Sequence, residues 1–174
     1  MSDRYDALQP VQIATTLRSL PRRVREQLAG LPADDRDALA RVDHGGTSVL
    51  GVVHDIAASL ELLTHAVHLG PLREDATATG AAGAATARFA LAPDASLGGE
   101  VDTIARVVDA AAAEIDAARD RDWDRTVTVD GTTMTTLALA RAAARAGAER
   151  LRTLEATVRA VQATLPRGQA RDDD

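Results

Sequence analysis

The chain contains no cysteine. That absence excludes disulfides, thiolate nucleophiles and cysteine-based zinc or iron–sulfur centres together. Lysine is also missing, and all 20 basic residues are arginine. With the abundance of alanine, this reads as a compositional bias and carries no functional weight. Aromatic residues are limited to Tyr5, Phe89 and Trp123. The core must therefore be built from Leu, Val, Ile and Ala, and Ala lets helices approach closely. No stretch approaches the ~20 apolar residues of a membrane span. The opening Met1-Ser2-Asp3-Arg4 carries no apolar signal core, so a cytoplasmic protein without a membrane partner is expected. Acidic residues number 26, giving a net charge of -6. A pI near 5.2 argues against a nucleic-acid footprint, which needs a basic face.

What is present is helical periodicity over 174 residues, a length suited to one domain. Residues 1–10 are polar, end in Pro10 and form a flexible lead-in. From 11 to 29 the apolar positions Ile13, Leu17, Leu20, Val24 and Leu28 step by three or four. Pro21 either kinks this segment or opens a new helix. Residues 31–46 are acidic and broken, with room for a short helical turn through Leu39. Thr47 or Ser48 then caps a second helix over 48–69, which Gly70-Pro71 stops. Residues 72–98 lack a sustained period and form a long connection, with a helical turn allowed around 84–91. A third helix spans 100–119, beginning after Gly98-Gly99. The Thr/Val alternation around Asp130-Gly131 predicts a turn with two extended arms too short for a sheet.

The last helix, 134–165, has the clearest pattern: Leu137, Ala140, Ala144, Gly147, Leu151, Leu154, Val158, Val161 and Leu165 step by three and four. Its first half is small and its second half bulky, which either admits a close neighbour or leaves a cavity. Residues 166–174 are a polar tail. Four amphipathic helices with one long crossover predict an all-α four-helix bundle occupying 11–165.

Candidate chemistry gathers on the second helix. His54, Glu61, His65 and His68 fall within roughly 60° of one another on a helical wheel. The apolar arc from Leu62 through Val52, Val49, Leu60 and Val53 is placed nearly opposite, so a solvated His/Glu face is favoured over a ligand row. His44 lies outside the helix. Asp55 falls on a flank near that apolar arc, where a carboxylate wants a partner. An ion pair with Arg145 or Arg150 is weighed against a role as metal ligand or general base. The row Arg141, Arg145, Arg152 and Arg159 reads as a solvated face, with an anion pocket as the alternative. Trp123 either lines a pocket or plugs the end of the bundle. Gly80-Ala81-Ala82-Gly83 lacks the Lys and the preceding strand of a phosphate loop. Ser48 or Ser59 with His54 lacks a triad's third member.

The segment Thr47-Ser48-Val49-Leu50-Gly51-Val52-Val53-His54-Asp55-Ile56-Ala57 resembles the start of the second helix in the DinB/YfiT-like superfamily. That superfamily includes the N-terminal domain of mycothiol-dependent maleylpyruvate isomerase. Residues 126–131, Thr135-Thr136-Leu137 and the Arg-rich helix to Val161 resemble the family's loop and last helix. The resemblance implies a bundle holding nickel or zinc on three histidines, one from the second helix and two from the last. A metal-bound water or thiol would react there. Carried over residue by residue, those ligands fall on Asp55, Ala146 and Glu149 or Arg150. Ala has no donor atom, and Arg cannot be deprotonated to bind a metal. The scaffold is therefore expected without its metal and without a cofactor. Such a protein acts as a small-molecule-binding or interaction module, as a homodimer, with Trp123, Arg145 and Arg150 as pocket candidates. Two alternatives stand beside this reading. One is a thiol-dependent transferase or isomerase with a site rearranged around Asp55, His54 and Glu149. The other is a purely structural oligomerisation bundle.

Overall fold

The computed structural model describes residues 4–43, 45–72, 91–129 and 131–165. For 62–72, 121 and 129 it describes the backbone only. The molecule is mostly helical. Its elements in chain order are α1 (Pro10–Arg18), α2 (Leu20–Leu28), α3 (Arg36–Ala40), α4 (Val49–Leu72), α5 (Leu97–Ala117), α6 (Asp120–Trp123), β1 (Thr126–Val129), β2 (Thr132–Thr135) and α7 (Thr136–Thr164).

The first amphipathic segment is two helices meeting at Ser19. Pro21 sits in the first turn of α2, where its missing N–H removes no internal bond. Three other boundaries differ from the periodicity reading. The backbone of α4 continues through Gly70-Pro71 to Leu72, because a proline forfeits one hydrogen bond but its fixed φ stays compatible with a last helical turn. Next, α5 begins at Leu97, ahead of the two glycines, because the Ser96 side chain accepts from the Gly99 N–H at 3.1 Å and caps the helix. Lastly, the arms around Gly131 do pair. They form a two-stranded antiparallel sheet in the register Thr126↔Thr135 to Val129↔Thr132. The hydroxyls of Thr128 and Thr133 bond across it at 2.9 Å. Gly131 holds φ at +77°, which tightens the turn. The buried Thr136 ties the hairpin's base to the Arg125 carbonyl through both its amide and its hydroxyl.

Helix directions follow from side-chain pairs. Arg18 of α1 bonds Asp116 near the end of α5, and Arg25 of α2 lies 3.8 Å from Asp102 near its start. The α1–α2 rod is therefore antiparallel to α5. Gly147 packs on Leu20, and Gln162 donates to the Gly30 carbonyl, so α1–α2 is parallel to α7. His54 in the second turn of α4 meets Glu100 in the first turn of α5, so these two helices are parallel. Most of the long connection expected from the sequence, residues 73–90, lies outside the described residues. The α4 rod packs between α5 and α7, and the α1–α2 rod packs between the same two helices from the other side.

One apolar core runs along this arrangement. Its fully buried large side chains include Ile13, Leu17, Leu20, Leu50, Ile56, Ile104 and Leu154. The lead-in is not frayed from Arg4 onward: Tyr5 joins the core at 7% exposure, and Leu8 packs against it. No helix among the described residues is long and apolar enough to cross a membrane.

Candidate functional site

The positions carried over from the family resemblance lie on facing stretches of α4 and α7. Asp55 of α4 accepts from Arg150 of α7, Nη1 to Oδ2, at 3.4 Å. Both side chains are about half exposed (54% and 45%), so the pair closes over the rim of the α4–α7 groove. Ala146, one turn before, is half-buried, and Glu149 is exposed. The donor set therefore reads carboxylate, methyl and guanidinium in one frame of the last helix, and two carboxylates with a methyl if the third position falls on Glu149. A divalent cation placed against Asp55 would have to displace Arg150 and bear its positive charge at close range. Arg offers donors only, so it supplies no lone pair in exchange. These residues do not fit the nickel or zinc centre that the resemblance implies. Among the described residues, no three His, Asp or Glu side chains converge as a metal cage.

Two placements differ from the helical-wheel reading, and the cause is the same for both. The buried arc of α4 comprises Val49, Leu50, Val52, Val53, Ile56, Ala57 and Leu60. Leu50 and Ala57, which the sequence reading left out of the arc, swing its centre towards His54. By 100° per residue, His54 then lies roughly 120° from that centre and Asp55 roughly 140°. Asp55 is accordingly on the outer side, not on a partly buried flank. His54 is a groove residue and not part of a solvated face. Its Nδ1 lies 3.1 Å from Glu100 Oε2, and the two side chains are only 13% and 16% exposed. This His–Glu pair fastens α4 to α5. His54 and Asp55 thus serve different neighbours and do not share a site. His44, the side chains of His65 and His68, Phe89 and the segment Gly80 to Gly83 lie outside the described residues.

The remaining candidates disperse too. Trp123 is buried in α6, which packs on α4 and α7, so it plugs the end of the helical core. The arginine row is not one solvated face: Arg141 and Arg145 both turn onto the N-terminal segment. Arg141 Nε donates to the Leu8 carbonyl at 2.9 Å, and Arg145 Nη2 donates to the Asp6 carboxylate. Arg159 bonds Glu155 one turn away on its own helix. No family model, curated protein or solved structure matches this chain.

Sequence reasoning missed one concave feature. An open cleft of about 300 Å³ lies at the start of α4, walled by Arg41, Asp43, Thr47, Ser48, Val52 and Asp55. Four of its polar side chains are already engaged, Asp55 by Arg150. Arg41 donates to the carbonyls of Pro93 and Ala95, and Asp43 accepts from the Gly46 N–H at 2.6 Å. Ser48 caps α4 by accepting from the Gly51 N–H at 3.0 Å. The walls come from a loop and one helical turn with no motif spacing, so only folding brings them together. A hydroxyl committed to a cap is also a poor nucleophile, which removes the Ser48–His54 pairing from consideration.

Proposed function

We propose that this chain is a DinB-like four-helix bundle that works as a protein-interaction module, with no metal-dependent chemistry of its own. The observation that supports the reading is the Asp55–Arg150 pair, which joins one position where the resemblance places a metal ligand to one of the two, Glu149 or Arg150, where it places another. A guanidinium in that place neutralises the Asp55 carboxylate and supplies no replacement donor. The rearranged transferase or isomerase site draws no support, since Glu100 engages His54, Arg150 engages Asp55, and Glu149 is exposed.

Among the roles open to a bundle without metal, the packing of α7 disfavours an interior small-molecule ligand. Its small-residue seam is filled: a methyl on Gly147 would sit 2.7 Å from Leu20 Cδ1. Ala140, Ala144 and Ala148 are buried in the same core. A surface that meets a partner, including a second copy in a homodimer, is the use we assign to such a scaffold; a purely structural oligomerisation bundle is the second reading that a filled seam allows. Elemental analysis of untagged protein tests the reading. The expected result is nickel and zinc far below one per chain after dialysis against either ion. Stoichiometric retention of either metal would overturn it.

A further inference from the structure

We draw no further inference here: the strongest candidate, the open cleft at the start of α4 walled by Arg41, Asp43, Ser48 and Asp55, carries nothing, because those four side chains are already bonded within the chain and nothing in the structure shows what covers it.

Discussion

Gly147 and Leu20 show how one small residue organises the contact between two helices. Leu20 is fully buried and projects against Gly147 closely enough that an added Cβ would meet Cδ1 at 2.7 Å, Cδ2 at 3.4 Å and Cγ at 3.7 Å. Gly in a helix interior costs about 1 kcal/mol relative to Ala, so Gly147→Ala recovers that much in backbone terms. Overpacking a filled core costs about 1–3 kcal/mol, and Leu20 is fully enclosed by its neighbours. The substitution is therefore expected to destabilise by about 1 kcal/mol. Leu20→Ala alone should cost about 3–5 kcal/mol, because its partner at 147 has no side chain with which to fill the space. In the Leu20→Ala background, Gly147→Ala should change sign and stabilise by about 1 kcal/mol. Urea denaturation of the four proteins closes this cycle; additive effects would show that the two residues do not compete for the same volume. The alternation of small and bulky residues was legible in the seam from 137 to 165. The identity of the side chain filling it was not, because Leu20 is 127 positions away in the chain.

At the scale of elements, the hairpin is the case in which sequence pattern and structure part. Four-residue arms are too short to stand alone as a sheet, which is why the pattern predicted only extended arms. They pair here because β1 packs on α4 and β2 adjoins α7, so tertiary contact supplies what two short strands lack. Val127 is the buried residue that anchors the arm, at 1% exposure. Gly131 turns the chain at a positive φ that β-branched residues rarely adopt. Gly131→Val is therefore expected to cost about 1–3 kcal/mol, measurable by thermal unfolding, while Gly98→Val, at negative φ and in open space within α5, should cost nothing and gain up to about 0.5 kcal/mol of helix propensity. A loss at 131 no larger than at 98 would show that the turn is not constrained. The length of α5 follows the same logic in reverse. A cap residue, Ser96, overrode the helix-breaking tendency of Gly98-Gly99, because a satisfied first-turn amide outweighs a weak propensity.

For the whole molecule, charge contributes less to stability than its abundance suggests. The pairs Arg18–Asp116, Arg22–Glu26, Arg25–Asp102 and Arg159–Glu155 all lie on the surface, with side chains 39% exposed or more. Such pairs contribute about 0–1 kcal/mol each and are screened by salt. A net charge of -6 works against compactness by self-repulsion, which salt also screens. The two effects oppose, so raising NaCl from 0.1 to 1 M should shift the unfolding free energy by only about 1 kcal/mol, read from urea midpoints. A larger loss would mean that ion pairs hold the helices together, where the apolar core is assigned that role. The His54–Glu100 pair differs, being mostly enclosed between α4 and α5, and it fixes the register of those two parallel helices.

The sequence by itself determined that the chain is mostly helical, that a helix begins close to Thr47 or Ser48 and that the last helix carries no imidazole. Each of these is a property of neighbours within a turn or two, where spacing translates directly into geometry. Only the tertiary structure decided which faces those helices hide. His54 is enclosed because Leu50 and Ala57 turn the buried arc towards it, and Asp55 is exposed for the same reason. Arg145 meets Asp6, while Arg150 takes Asp55. These pairings join residues about a hundred positions or more apart, and their choice follows from the direction and rotation of each rod about its axis. Those two quantities are set jointly by every side chain in the core and by no single segment of the chain.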